Sequence, residues 1–238
     1  MKYLLLLALI TLVSTPRDIV YGTLDYIEVE DLKYHKTAID WYAKAKSVAV
    51  IVPSEYLIQV SENEFRLDKF TLQDEIETIA LVHPFKEQIC VGVGTAFLVA
   101  PNQVLTAGHL VKDLRKSVIL FDYVWDSSNG KLGKERYRRD EVFHLKKIIA
   151  RRNSRKGDFA LIEMDKLIND RDFLELADFN ERKGSAVKMI SCPDGTPLKL
   201  TNYGVIWDKL PSDLGLLNEG YFIHNLDNSG GSSGAPIF

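Results

Sequence analysis

Near its C-terminus the chain reads Gly230-Gly231-Ser232-Ser233-Gly234-Ala235-Pro236. A serine that attacks a carbonyl needs an exposed hydroxyl and nearby amide donors for the tetrahedral oxyanion. Glycines around it let the backbone turn sharply and aim its N–H groups inward. Ser233 is the candidate nucleophile, and the amides of Gly231 and Ser233 are spaced to converge on one oxygen. Such a serine also needs a base. Thr106-Ala107-Gly108-His109 ends an apolar run, and a strand end followed by small residues holds an imidazole rigidly yet exposed at one edge. The imidazole in turn needs a carboxylate to fix its tautomer and stabilise its charged form. Asp158, in Gly157-Asp158-Phe159-Ala160-Leu161, opens an alternating apolar run and suits that role; Asp122 and Asp140 are rivals in poorer context. Taken singly, each signal has a plain structural explanation: a flexible loop, a lone structural histidine, a turn aspartate. Together they form a nucleophile, a base and an orienting acid.

The elements that must position these groups read as strands. Runs rich in β-branched and aromatic residues, bounded by turn residues, lie at Ser47–Val52, Glu77–Val82, Val91–Ala100, Gln103–Ala107 and Ser117–Trp125. Further runs lie at Glu141–Ala150, Asp158–Met164, Ala186–Ser191, Leu198–Trp207, Gly220–Asn225 and Ala235–Phe238. One helix is expected near Leu32–Lys46 and a short helical turn after His109. Many short strands and few helices predict an all-β sandwich or barrel. The polar segment from Lys166 to Gly184 reads as a connector between two halves.

Three stretches carry a family resemblance: GTAFLVAPNQVLTAGH (Gly94–His109), GDFALIEMD (Gly157–Asp165) and NLDNSGGSSGAPIF (Asn225–Phe238). SCPDGTPLKL (Ser191–Leu200) adds a Gly-x-Pro turn and the strand after it. With the chain order His, Asp, Ser, which is that of chymotrypsin, the sequence resembles the bacterial trypsin-like serine peptidases related to staphylococcal glutamyl endopeptidase. The resemblance implies two chymotrypsin-like antiparallel β-barrels with the triad in the cleft between them. It also implies an endopeptidase that acts on peptide or protein substrates and needs no cofactor and no metal. Asp227 stands where trypsin carries its pocket-base aspartate. It is therefore a candidate substrate-binding residue for Arg or Lys side chains, with a loop-anchoring role as the alternative. Leu110 follows the histidine where many relatives have a half-cystine. Ser232 stands where trypsin has the aspartate that pairs with a freed N-terminus, so activation by that ion pair is not expected.

The expected organisation is a signal peptide over 1–22, an N-terminal segment and first barrel over 23–165, a connector over 166–183 and a second barrel over 184–238. The signal reading rests on Met1-Lys2 followed by the apolar run Tyr3–Val13, too short for the roughly 20 residues of a membrane span. It implies a secreted or periplasmic protein without stable membrane insertion. Too few strands follow Gly184 to close a six-stranded barrel, so the second barrel is expected to be truncated, with poor closure and little activity if the chain stops at Phe238. Export would permit one disulfide between Cys90 and Cys192, and two separate buried thiols suit the sequence equally.

Of 238 residues, 46% are hydrophobic and 26% charged, with a net charge of −3. No whole-chain field points to nucleic acid. A basic stretch from Lys131 to Lys156 could serve as a polyanion patch, but interspersed Glu135, Asp140 and Glu141 favour solvated loops. The rival to an active peptidase is a catalytically silent relative that binds peptides or partner proteins.

Overall fold

The computed structural model describes residues 24–75, 83–154, 157–177, 182–208 and 223–238. The early strands are β1 (Tyr26–Glu28), β2 (Val48–Pro53), β3 (Leu57–Ser61), β4 (Glu64–Leu67), β5 (Gly94–Ala100), β6 (Gln103–Thr106) and β7 (Ser117–Phe121). They are followed by β8 (Trp125–Asp126), β9 (Lys131–Leu132), β10 (Arg136–Arg138), β11 (Phe143–Ser154) and β12 (Gly157–Met164). The last are β13 (Ala186–Ser191), β14 (Lys199–Asp208) and β15 (Ile223–His224). Two short helices are α1 (Ile39–Ala45) and α2 (Leu72–Glu75).

Six antiparallel strands close a barrel in the order β11-β12-β6-β5-β2-β7. Its interior is filled by alternate residues: Ala49 and Ile51 of β2, Ala96 and Leu98 of β5, Ile119 and Phe121 of β7, Ala160, Ile162 and Met164 of β12. That alternation is the period of a pleated strand. The run Val48 to Val52 is buried throughout because β2 has two cores to fill. Val48, Val50 and Val52 point out of the barrel into a second cluster with Ile190, Cys192, Leu198 and Leu200. The two halves of the molecule share this cluster.

The second half is an open sheet among the described residues, in the order β1-β14-β13 with β15 pairing β14. Its first strand comes from the N-terminal segment, where Tyr26 pairs with Thr201 and Glu28 with Lys199. That burial brings a charged group into the interior. Lys199 is fully buried, and its Nζ donates to Glu28 Oε1 at 2.9 Å, Gln88 Oε1 at 2.7 Å and the Pro197 carbonyl at 3.2 Å. Burial pushes the Lys199 amine down and the Glu28 carboxyl up, and their mutual attraction offsets only part of this.

Several expectations are corrected here. The single helix over Leu32–Lys46 splits into a 3₁₀ turn, Val29–Tyr34, and α1. The strand over Ser117–Trp125 stops at Phe121, because Asp122 takes a left-handed φ of 60° and turns the chain. Ala235–Phe238 is not a strand; Ile237 makes one isolated bridge to Met189. The surface sheet β10-β4-β3 adds to the expected strands; β3 and β4 are short, and Leu67 is their one buried residue. The run Glu77–Val82 and the signal segment 1–22 lie outside the described residues. No helix among the described residues is long and apolar enough to cross a membrane.

Candidate active site

His109 sits on a 3₁₀ turn, Gly108–Leu110, directly after β6. Asp158 is the second residue of β12, which pairs with β6 through Ala160 opposite Thr106. That register brings the two side chains together. Asp158 Oδ2 lies 2.5 Å from His109 Nδ1, and Oδ1 accepts the His109 backbone N–H at 2.8 Å. The carboxylate therefore holds both the ring and the chain that carries it. Arg151 of β11 adds a third hold, its Nε donating to the Gly108 carbonyl at 2.8 Å. The Asp158 side chain keeps 39% of its surface exposed and that of His109 44%, so the pair faces solvent along one edge.

The serine turn is docked on the first barrel by Thr95, a fully buried polar residue in the apolar strand β5. Its N–H donates to the Ser233 carbonyl at 2.8 Å, and its Oγ1 donates to the Gly231 carbonyl at 2.8 Å. The same Oγ1 accepts the Cys192 N–H at 3.0 Å, while Thr106 Oγ1 donates to the Thr95 carbonyl at 2.6 Å. Sequence reasoning missed the parts of Thr95, Thr106 and Arg151; the available signal was two threonines in the otherwise apolar strands β5 and β6 that lead up to His109. Gly231 and Gly234 take φ of 88° and 84°, values that side-chain-bearing residues rarely adopt. A Cβ on Gly234 would meet Thr106 Oγ1, the Thr95 carbonyl and the Ala107 amide. The turn thus packs against the chain two residues before His109.

Among the described residues the amides of Gly231 and Ser233 donate no hydrogen bond, and neither does the Ser233 hydroxyl. Ser232, by contrast, is buried and faces inward. Its Oγ donates to Ser191 Oγ at 3.3 Å and accepts the Ser229 N–H at 3.5 Å.

Asp227 is also buried, and its Oδ2 accepts the Asp25 N–H at 3.3 Å. Burial pushes the Asp25 carboxyl up, and although the Tyr203 N–H counters this, the charge of Asp227 reinforces it. Asp227 therefore ties the loop before Ser233 to the N-terminal segment. The rivals to Asp158 are engaged elsewhere: Asp122 is bridged by Lys46 at 3.0 Å and Arg171 at 3.3 Å, and exposed Asp140 pairs with Arg138. Cys90 and Cys192 are separate buried thiols, each pushed up to about 12 chiefly by burial.

A groove of about 620 Å³ runs beside Asp158, between Thr106–Ala107 on one side and Gly234–Phe238 on the other, with Phe159, Leu174 and Leu176 lending apolar surface.

A family model described as "Trypsin-like peptidase domain" matches residues 94–238. Among solved structures, the chain is similar to a Glu endopeptidase in complex with MPD, at 15% identity and a TM-score of 0.53, over 92% of this chain and 82% of that one. It is less similar to the secreted serine protease VesC from Vibrio cholerae, at 16% identity and a TM-score of 0.48, over 81% of this chain and 37% of that one. Similarity to the Rv3671c protease in an inactive form has a TM-score of 0.46 at 16% identity, over 82% of this chain and 72% of that one. At such identities the likeness concerns the fold. No curated protein sequence matches the chain.

Proposed function

The chain belongs to the trypsin-like peptidase family, and we propose that it is a serine endopeptidase whose triad is His109, Asp158 and Ser233. One observation carries the reading: Asp158 Oδ2 sits 2.5 Å from His109 Nδ1 while Oδ1 holds the same residue's backbone. A carboxylate can only accept there, so Nδ1 carries the proton and Nε2 keeps its lone pair. In the proposed reaction Nε2 removes the Ser233 proton as Oγ bonds to the substrate's carbonyl carbon. The oxyanion that forms is held by the Gly231 and Ser233 amides. His109 then gives its proton to the leaving amine, the C–N bond breaks and an acyl-enzyme remains. Water, deprotonated by His109, attacks that ester and frees Ser233.

The substrate class is peptide or protein, and the motifs favour kinship with the glutamyl endopeptidase group. Export to the cell exterior or periplasm belongs to the same reading and rests on the N-terminal apolar run. Asp227 is better suited to anchoring its loop through Asp25 than to binding a substrate side chain. A second reading, a silent peptidase-like binder, draws on one observation: the Ser233 hydroxyl has no hydrogen bond among the described residues.

A fluorophosphonate probe, which reacts with an activated serine, separates the two. Labelling of the Ser233 peptide, read by mass spectrometry and lost in Ser233→Ala, is expected of the enzyme. An unlabelled but folded chain would favour the binder, and labelling that persists in Ser233→Ala would refute the nucleophile.

A further inference from the structure

Part of the basic stretch found in the sequence is neutralised in the fold. Lys134 pairs with Glu141, Arg138 with Asp140 and Lys146 with Glu163. Lys131 makes no ion pair among the described residues, and the fold moves it next to two cations from elsewhere in the chain. Lys131, Arg66 and Lys69 all line a pocket of about 650 Å³ between the surface sheet and the β8–β9 hairpin. This pocket shares no lining residue with the groove beside Asp158.

Its construction points to a ligand. Arg66 lies directly opposite Arg136 across the β4–β10 pair, and like charges in that position are unfavourable. Arg136 is neutralised by Glu64 at 2.6 Å. Arg66 has no carboxylate partner among the described residues; its guanidinium donates instead to the Leu67 carbonyl at 3.3 Å. The apolar side of the pocket is Trp125, half-buried and paired across the hairpin with Leu132. Two exposed carboxylates, Glu87 and Glu135, also line it, as does the neutralised Arg136. An aromatic face suits the C–H face of a sugar ring, and carboxylates accept from its hydroxyls. Three cations without carboxylate partners suit a tetrahedral oxyanion. A run of carboxylates, as in an acidic peptide, brings Glu87 and Glu135 no side-chain donor, whereas a sugar brings hydroxyls.

We propose that this pocket is a binding site for an anionic saccharide, one bearing a sulfate or phosphate group, separate from the serine-centred site. The test is calorimetric titration of the full chain with a heparin tetrasaccharide, its desulfated counterpart, glucose 6-phosphate and hexaglutamate. Saturable binding of the heparin fragment or of glucose 6-phosphate is expected, and whichever binds tells sulfate from phosphate. R66Q/K131Q should weaken it tenfold or more, while K147Q, on an exposed site in the barrel, should leave it within twofold. If R66Q/K131Q does not fold, K69Q/K131Q changes two exposed side chains to the same end. The proposal is overturned by absence of saturable binding, by equal binding of the desulfated sugar, by hexaglutamate binding as tightly, or by K147Q weakening it as much as the pocket variants.

Discussion

Asp158 grips His109 at two atoms, the ring Nδ1 and the backbone N–H, and the two contacts do different work. The backbone contact fixes where the ring starts; the ring contact fixes which nitrogen is free. Asp158→Asn separates them. Its amide oxygen can still accept one N–H, but its NH₂ group facing Nδ1 can only donate. The ring must then place its proton on Nε2 and can no longer take one from Ser233. We expect kcat on a peptide ester to fall by about 10⁴, with the far-ultraviolet circular dichroism unchanged. Turnover within tenfold of the natural chain would remove Asp158 from the triad. Ser232 shows how neighbouring residues of one type are sorted by surroundings. It is buried against Ser191, whereas Ser233 has its carbonyl tied to Thr95 and its hydroxyl left unengaged among the described residues.

At the scale of elements, β5 is the platform on which the serine turn rests. Thr95 holds three groups of the second half, the Ser233 carbonyl, the Gly231 carbonyl and the Cys192 N–H. The last of these reaches the turn Pro193–Gly195 that packs beneath Gly231. Thr95→Val keeps the shape and the backbone bond but removes the hydroxyl. It leaves the part-buried Gly231 carbonyl and the buried Cys192 N–H without that partner. Stability should fall by about 1–3 kcal/mol, measurable by urea unfolding. Turnover should fall as well, because the turn that presents Gly231 and Ser233 loses its register on the barrel. A variant as stable and as active as the natural chain would show that the turn is held by other means.

At the scale of the molecule, the N-terminal segment crosses from the first barrel to the second sheet, and its attachment is ionic as well as β-paired. β1 lies on β14, and Glu28 meets the fully buried Lys199 and Gln88. A second attachment is the Asp25 N–H on Asp227, in the loop that leads to Ser233. Removing one member of a buried ion pair strands the other charge, at a cost of about 3–5 kcal/mol. Lys199→Met should show that loss in urea unfolding, and Lys199→Met/Glu28→Gln should recover much of it. Equal destabilisation of the single and double variants would mean that Lys199 matters for its packing and hydrogen bonds to Gln88 and Pro197 rather than for its charge.

The sequence by itself determined the all-β class and the strands of the barrel, and it marked His109, Asp158 and Ser233 as candidates, because each leaves a local mark. Apolar runs rich in β-branched and aromatic residues mark β5 and β7, an alternating apolar run marks β12, and small residues mark the turns around His109 and Ser233. Which aspartate serves which partner was a tertiary decision. Asp122 and Asp158 both adjoin apolar runs, yet the β6–β12 register carries only Asp158 to His109, and the connector brings Arg171 to Asp122. The part of Thr95 was hidden for the same reason: a threonine in an apolar strand gains its meaning from groups far along the chain. The buried Lys199 and the pocket of Arg66, Lys69 and Lys131 likewise arise only when distant segments meet. Local propensity cannot encode a contact whose two halves lie on different strands.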